Sequence, residues 1–334
     1  MSELICVAVD AMGGDHAPGE IVKGVLMALD ASPRLKVFLV GSADLVEAEL
    51  AGCPYDSGRL VLVPSATVIE TAEPPVLAIR KKKDSSLVKT LELVKGGSAV
   101  AAVSAGSTGA LLVGGQLIVG RIKGIKRPPL APLIPTARGA ALLIDCGANV
   151  DARSEHIVQF AQMGSVYMEH VVGLKNPRVG IVNIGAEEEK GNALVKESFP
   201  LLKATGGINF IGSVEARDIP AGVADVVVCE AFVGNVILKL YEGVGATLVG
   251  MLKAGMMENT RSKLGALLIK PALKKSLKSF DTEEHGGAPL LGLNGLVVKT
   301  HGSAKSTVIK NAILQCERFH EQQINEKIRA KLAV

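Results

Sequence analysis

The stretch VAVDAMGGDHAP, Val7–Pro18, decides how the rest of the chain is read. Leu4 to Val9 is an apolar run of strand length that stops at Asp10. Gly13 and Gly14 permit a tight turn, since glycine takes positive φ without a steric penalty. Pro18 suits the first turn of a helix, and Ile21, Val22, Val25 and Leu29 follow at helical spacing. The pattern is strand, glycine turn, helix. Asp10, Asp15 and His16 then fall beyond the carboxyl end of a strand, where open α/β sheets place their ligands.

The same unit recurs outward from this stretch. Strands are expected at Leu35–Val40, Leu60–Val63, Ala99–Val103, Ala140–Ile144, Arg178–Val182, Val226–Cys229 and Gly295–Val298. Six strand-end loops carry glycine with short polar groups, starting at Asp10, Ser104, Asp145, Asn183, Glu230 and Thr300. One such loop is ordinary turn chemistry. Several together imply a single polar cleft rich in backbone N–H donors, suited to phosphate and oxyanions. Ser104-Ala-Gly-Ser-Thr-Gly109 has the small hydroxyl residues of an N-cap and of an anion site. Asn183 to Asn192 sets Lys190 among carboxylates in a glycine-bounded loop, either as a surface ion pair or as a group that stabilises developing negative charge. Ser154 is expected to cap a long helix through Val172, and the proline-rich Arg127–Pro135 to run extended.

Composition narrows the classes. The chain has 334 residues, 48% hydrophobic and 21% charged, a globular balance with room for a large core. Aromatics are 3% and Trp is absent, so a base-stacking nucleic-acid platform is not expected, and a net charge of +4 demands no polyanion. Cys6, Cys53, Cys146, Cys229 and Cys316 form neither a CxxC pair nor a metal spacing, which suits a reducing cytoplasm. No secretory signal pattern is read at the N-terminus. Ser98–Gly120 is uncharged and long enough for a membrane span, but SAGSTG breaks it into strand, loop and helix start. HExxH, GxSxG, GxGxxG and the P-loop pattern are all missing.

Two basic segments stand apart. Arg80, Lys81, Lys82 and Lys83 are consecutive cations, followed by Asp84, Ser85 and Ser86, which can cap the next helix. From Thr247 to Lys278 apolar residues alternate with Lys253, Arg261, Lys263, Lys270, Lys274, Lys275 and Lys278, against Glu258 alone. That is an amphipathic helical insertion, residues 247–278, that suits an anionic bilayer or a partner subunit; a solvated basic face on core-packing helices has the same pattern.

DAMGGDHAP, EPPVLAIRKKKDSSL, SAGSTGA, DCGANVDA, NIGAEEEKGN, FVGN, HGGAPLLG and HGSAKS occur in this order along nearly the whole chain. In this the chain resembles the bacterial phosphate acyltransferase family of fatty acid and phospholipid synthesis; Ser107 stands where that family usually has Asn. The resemblance implies a single α/β domain over 1–334, a three-layer α/β/α Rossmann-like sheet, mostly parallel, similar to the isocitrate/isopropylmalate dehydrogenase and phosphotransacetylase fold. It implies that acyl–acyl carrier protein and inorganic phosphate give acyl phosphate and free carrier protein, with no metal and no cofactor. Implied partners are acyl carrier protein, a second copy in a homodimer, an anionic membrane surface and a membrane glycerol-phosphate acyltransferase, with no nucleic acid. The expected location is cytoplasmic, peripherally on the inner face of the membrane.

On that reading Ser104, Gly106, Ser107, Thr108, His301, Gly302 and Ser303 cradle phosphate, with Gly13, Gly14, Asp145, Asn149, Asn183 and Gly234 lining the same cleft. Lys190 and Asn235 face the developing charge, and Asp10 and His16 orient neighbours or move a proton. Arg80–Lys83 or Lys253, Arg261, Lys263, Lys270 and Lys274 meet carrier protein or membrane. Rival readings are a related-fold dehydrogenase and a non-catalytic peripheral membrane adaptor.

Overall fold

Strand pairing separates the chain into two mostly parallel sheets. The structure is a computed structural model that describes residues 4–278 and 286–332. Its first half holds β1 (Ile5–Asp10), α1 (Gly19–Ala31), β2 (Leu35–Gly41), α2 (Ala43–Leu50), β3 (Leu60–Pro64), α3 (Pro75–Lys81), α4 (Ser86–Lys95), β4 (Ala101–Ser104) and α5 (Thr108–Gly114), which runs on as a π-turn over Gly115–Val119. Then come β5 (Leu133–Thr136), β6 (Gly139–Ile144), α6 (Ser154–Tyr167), β7 (Arg178–Asn183), α7 (Ala193–Ala204), β8 (Asn209–Glu215) and β9 (Val226–Val228). The chain finishes with α8 (Ala231–Met257), α9 (Thr260–Lys278), β10 (Ala288–Leu290), β11 (Leu296–Lys299), α10 (Ser306–Glu321) and α11 (Ile324–Leu332).

The first sheet runs β10-β11-β4-β1-β2-β3 and the second β5-β6-β9-β7-β8. Only β10 on β11 and β5 on β6 pair antiparallel. The α/β class is as expected, and the strands fall within about two residues of their expected ends. Their division between two sheets was not foreseen. The proline-rich segment explains it. Ala131 N–H donates to Pro289 O and Leu291 N–H to Pro129 O, on the first sheet's edge, while Leu143 N–H donates to Pro132 O and Cys146 N–H to Leu130 O, in the second. Residues 129–132 are thus bonded to both edges, and the end of the segment, from Leu133, becomes β5 and belongs to the second sheet alone.

Period-two alternation sorts the side chains into layers. Val7, Val9, Ala101 and Val103 point into a core that also takes Leu142, Ile144, Val226 and Val228 from the second sheet, together with α1, α6, α10 and α11. Ala8, Ala102 and Val297 point the other way, onto α4 and α5. Leu143 and Val227 pack on the start of α8, at Val233, Ile237 and Tyr241. Ser85 and Ser107 cap α4 and α5 as expected, accepting the N–H groups of Val88 and Ala110, both at 3.4 Å. Ser154 does not cap α6. Arg153 holds that position, and His156 Nδ1 accepts its N–H at 3.0 Å. Likewise Pro18 precedes α1 as its N-cap and is not its first residue.

The basic segment is two helices. α8 begins at Ala231, directly after Glu230, and runs without a break into the segment read as amphipathic from Thr247; it is long and apolar enough to cross a membrane by length and composition. Phe232, Leu240, Leu248, Met251, Leu264, Leu267 and Leu268 are exposed along α8 and α9, as are Lys253, Arg261, Lys263 and Lys270. The side chain of Lys274 lies outside the described residues, as do Glu284 and His285 of the expected EHGGAP loop.

Candidate active site

Chain order reverses between β1 and β4. After β1 the chain adds β2 and β3 on one side, then returns to place β4 on the other. Such a switch point opens a crevice beyond the carboxyl ends of the two strands. Asp10 ends β1, Ser104 ends β4, and Lys299, paired with Ser104, ends β11 next door.

Direct contacts join the three loops. The buried Asp10 carboxylate accepts the Ser104 hydroxyl at 2.7 Å and the Met12 N–H at 3.2 Å. Ser104 Oγ in turn accepts the Gly106 N–H at 3.0 Å. A Cβ on Gly13 would lie 2.6 Å from Gly106 N and 2.7 Å from Asp10 Oδ2, so only glycine lets these loops touch. Gly14, at φ +103°, lies against Ala105 and the Gly302 carbonyl, and Asp15 N–H donates to that same carbonyl at 2.8 Å. Burial raises the Asp10 pKa. The Ser86 and Ser104 hydroxyls oppose the shift, although Ser86 Oγ makes no hydrogen bond of normal geometry.

Among the described residues, the N–H groups of Gly14, Ser107, Thr108, His301 and Gly302 meet no protein acceptor. Five free N–H donors therefore lie on three loops that touch one another. Thr300 Oγ1, one residue before His301, is buried and makes no hydrogen bond among the described residues. His301 is exposed, and its Nδ1 lies 2.7 Å from Ser303 Oγ. His16 is exposed in the first loop, and among the described residues its side chain makes no hydrogen bond. The structure therefore brings together Asp10, Gly13, Gly14, Ser104, Gly106 and Gly302 by contact, with Ser107, Thr108, His301 and Ser303 in the same loops.

The remaining expected residues sit on the second sheet in two groups. Asp145 is a brace. Its Oδ1 accepts N–H groups from Leu130 at 2.9 Å and Ala148 at 3.3 Å, and its Oδ2 accepts the Asn149 amide at 2.7 Å. Asn149 also donates to Pro128 O at 2.9 Å. Both side chains hold the proline-rich segment, Asp145 by accepting its Leu130 N–H and Asn149 by donating to its Pro128 carbonyl. Burial pushes the Asp145 pKa up to about 6. Gly234 is required by packing, since a Cβ there would sit 1.9 Å from Asp145 O. Asn235, next along α8, is exposed beside Gly147. Glu230 caps α8 by accepting from Phe232 and Val233 at 2.6 and 2.9 Å.

Asn183 is buried and donates to Ser213 Oγ and Lys190 O at 3.0 and 3.2 Å, shaping the loop that carries Lys190. Lys190 Nζ is half-exposed and pairs with Glu187 at 2.8 Å, which raises its pKa. No hydrogen bond or ion pair among the described residues ties Lys190 or Asn235 to the three-loop site. Lys82 is also engaged. It bonds Glu73 at 2.6 Å and Val68 O at 2.8 Å, so of the Arg80–Lys83 run Arg80, Lys81 and Lys83 are the exposed cations. Cys146 and Cys229 are buried and their thiols are pushed well up by burial. Among the described residues no cluster of His, Cys, Asp and Glu could hold a metal ion. A cavity lined by Asn294, His320, Gln323 and Glu326 opens at the amino ends of β4 and β11, away from this chemistry.

Sequence reasoning missed Lys299. It closes the apolar run Leu296–Lys299, and a lysine in the last place of a buried strand, at the ligand end of the sheet, was the available sign.

The family model described as "Fatty acid synthesis protein" matches residues 5–327. A "Phosphate acyltransferase" of Clostridium perfringens (strain ATCC 13124) is 48% identical over 322 residues, covering 96% of this chain and 95% of that protein. One from Clostridium botulinum (strain Loch Maree) is 49% identical over 326 residues, covering 98% and 97%. A phosphotransacetylase from Streptococcus pyogenes superposes with a TM-score of 0.61 at 16% identity, over 96% of this chain and 95% of that one. The EutD phosphotransacetylase from Staphylococcus aureus gives 0.58 at 17% identity over 94% of each chain. At these identities the two structures show likeness of fold.

Proposed function

The chain belongs to the fatty acid synthesis protein family of phosphate acyltransferases; from that premise we propose that it moves an acyl group from acyl carrier protein to inorganic phosphate, making acyl phosphate and free carrier protein for phospholipid synthesis. The observation that carries the reading is the set of free N–H donors on the three touching loops after β1, β4 and β11.

Phosphate is itself a nucleophile, so the reaction needs no acyl-enzyme. A phosphate oxygen attacks the thioester carbonyl and forms a tetrahedral oxyanion. The C–S bond then breaks, and the thiolate, whose free pKa is about 8.5, leaves with carrier protein and takes up the proton that the attacking hydrogen phosphate gives up. The loops hold phosphate through backbone N–H groups and the hydroxyls of Ser107, Thr108 and Ser303. Asp10 fixes Ser104 and, through it, Gly106. Asn235 and Lys190 serve the developing oxyanion from the second sheet. Lys190 is available because its ion pair with Glu187 is exposed, and such pairs exchange partners at little cost. Deeply buried, high-pKa Cys146 and Cys229 are poor nucleophiles, which also favours direct attack.

Arg80, Lys81 and Lys83 form a small basic patch suited to an acidic carrier protein. The exposed apolar residues of α8 and α9, with Lys253, Arg261, Lys263 and Lys270, suit contact with a second copy of the chain and with an anionic membrane surface. The protein then works in the cytoplasm, at the membrane face. The test is to mix purified protein with acyl carrier substrate and phosphate and trap the product with hydroxylamine. Phosphate-dependent acyl hydroxamate is expected, and its absence from a folded protein sinks the reading.

A further inference from the structure

Lys299 is a group that the reaction above leaves unused. Its Nζ donates to Ala105 O at 3.1 Å and to Thr300 O. The two carbonyls belong to different loops, after β4 and after β11. In a trans peptide the carbonyl and the following N–H point in opposite directions. Gathering both carbonyls on one ammonium therefore turns the N–H groups of Gly106 and His301 away from it. The Gly106 N–H continues to Ser104 Oγ, and Ser104 to Asp10, so a hydrogen-bonded chain runs from the ammonium to the carboxylate. The His301 N–H has no acceptor among the described residues.

Two of the three ammonium protons are used. Next to it in sequence, Thr300 Oγ1 is buried without a partner. The ammonium thus holds both loops from the carbonyl side, and the free His301 N–H faces the opposite side.

We propose that Lys299 is the positioning cation of the phosphate seat: it clamps the Ala105 and Thr300 carbonyls, locks the loops after β4 and β11 in register, and provides the sheltered positive charge that a phosphate dianion requires. This rests on the phosphate acyltransferase reading above. The charged groups around it are Asp10 from β1, Asp15 from the following loop, Lys239 from α8 and His301 from its own loop. Burial lowers the Lys299 pKa to about 8, Lys239 acts in the same sense, and Asp10 and Asp15 oppose. The charge is present below that value and is lost as pH rises through it.

The experiment is calorimetric titration of inorganic phosphate into the full chain from about pH 7.5 to about pH 9.5, where phosphate is predominantly the dianion. If binding needs the ammonium, Kd rises roughly twentyfold across that range. Lys299→Arg stays charged throughout and flattens the profile, while Lys239→Gln, which removes a cation that depresses Lys299, keeps the shape of the profile and moves its midpoint to higher pH. Lys299→Met weakens phosphate binding by roughly tenfold or more near pH 7.5, and in acyl transfer raises KM for phosphate by a larger factor than it lowers kcat. A folded Lys299→Met protein with wild-type Kd overturns the proposal. So does a folded Lys299→Arg protein whose Kd rises across the range as steeply as that of the wild type. A wild-type protein that binds no phosphate and forms no acyl hydroxamate refutes the underlying reading instead, before Lys299 is at issue.

Discussion

Gly13→Ala is the sharpest perturbation of the three-loop contact. The added methyl would lie 2.6 Å from Gly106 N and 2.7 Å from Asp10 Oδ2, where ordinary contact begins at 3.4 Å. The neighbour on the first side is backbone and cannot rotate away. The loops after β1 and β4 must therefore separate by about 0.8 Å, the difference between 3.4 and 2.6 Å. Overpacking of this kind costs about 1–3 kcal/mol of stability, and misplacing binding groups by about 1 Å costs roughly a hundredfold in rate. Gly13→Ala should then keep a cooperative melt at a modestly lower Tm and lose about two orders of magnitude in kcat/KM for phosphate, read by hydroxylamine trapping. A folded Gly13→Ala enzyme within a few-fold of wild type would show that close approach of these loops is irrelevant to the chemistry.

Asp145 gives a pH signature in stability. Its folded pKa, raised from 3.8 to about 6, means that the native state holds the proton more tightly than the unfolded chain, so its contribution falls by up to ~3 kcal/mol as pH rises from about 4 to about 7. The gap in urea stability between wild type and Asp145→Asn should therefore narrow over that interval, and a gap independent of pH would remove the linkage. Lys190→Ala should lower turnover by roughly a hundredfold without moving Tm; near-normal turnover takes Lys190 out of the mechanism. Reversing Arg80, Lys81 and Lys83 to Glu should raise KM for the carrier substrate and spare binding to anionic liposomes, whereas reversing Lys253, Arg261, Lys263 and Lys270 should do the opposite. An exchange of these two phenotypes would reassign the patches.

How much of this was legible in the sequence depends on what each signal encodes. That Asp10, Gly13 and Ser104 lie together was readable because each ends a strand or opens the turn after it, and the ends of neighbouring parallel strands lie side by side. Ser85 and Ser107 were readable as caps for a local reason. The split into two sheets was not. Buried parallel strands such as Ala101–Ser104 and Val226–Val228 are apolar on both faces, so they carry no information on which strand lies beside which. β8 escaped because it is a half-buried edge strand whose pairing with β7 slips at Val179/Gly180, and α7 because Pro200 interrupts its pattern. Asp145 and Asn149 looked like ligands because their loop has the same composition as the true switch-point loops. What the sequence could not reveal is that Leu130 and Pro128, far along the chain, already occupy them. Lys299 looked like the polar end of a strand until the carbonyls of Ala105 and Thr300 were seen around it.

The central claim is that phosphate binds where the loops after β1, β4 and β11 meet. Crystallography of the protein soaked with inorganic phosphate tests it most directly. The account predicts one phosphate within hydrogen-bonding distance of N–H groups from Gly14, Ser107 or Thr108, and His301 or Gly302. A phosphate found instead at the Lys190 loop, with those donors left to water, would contradict it.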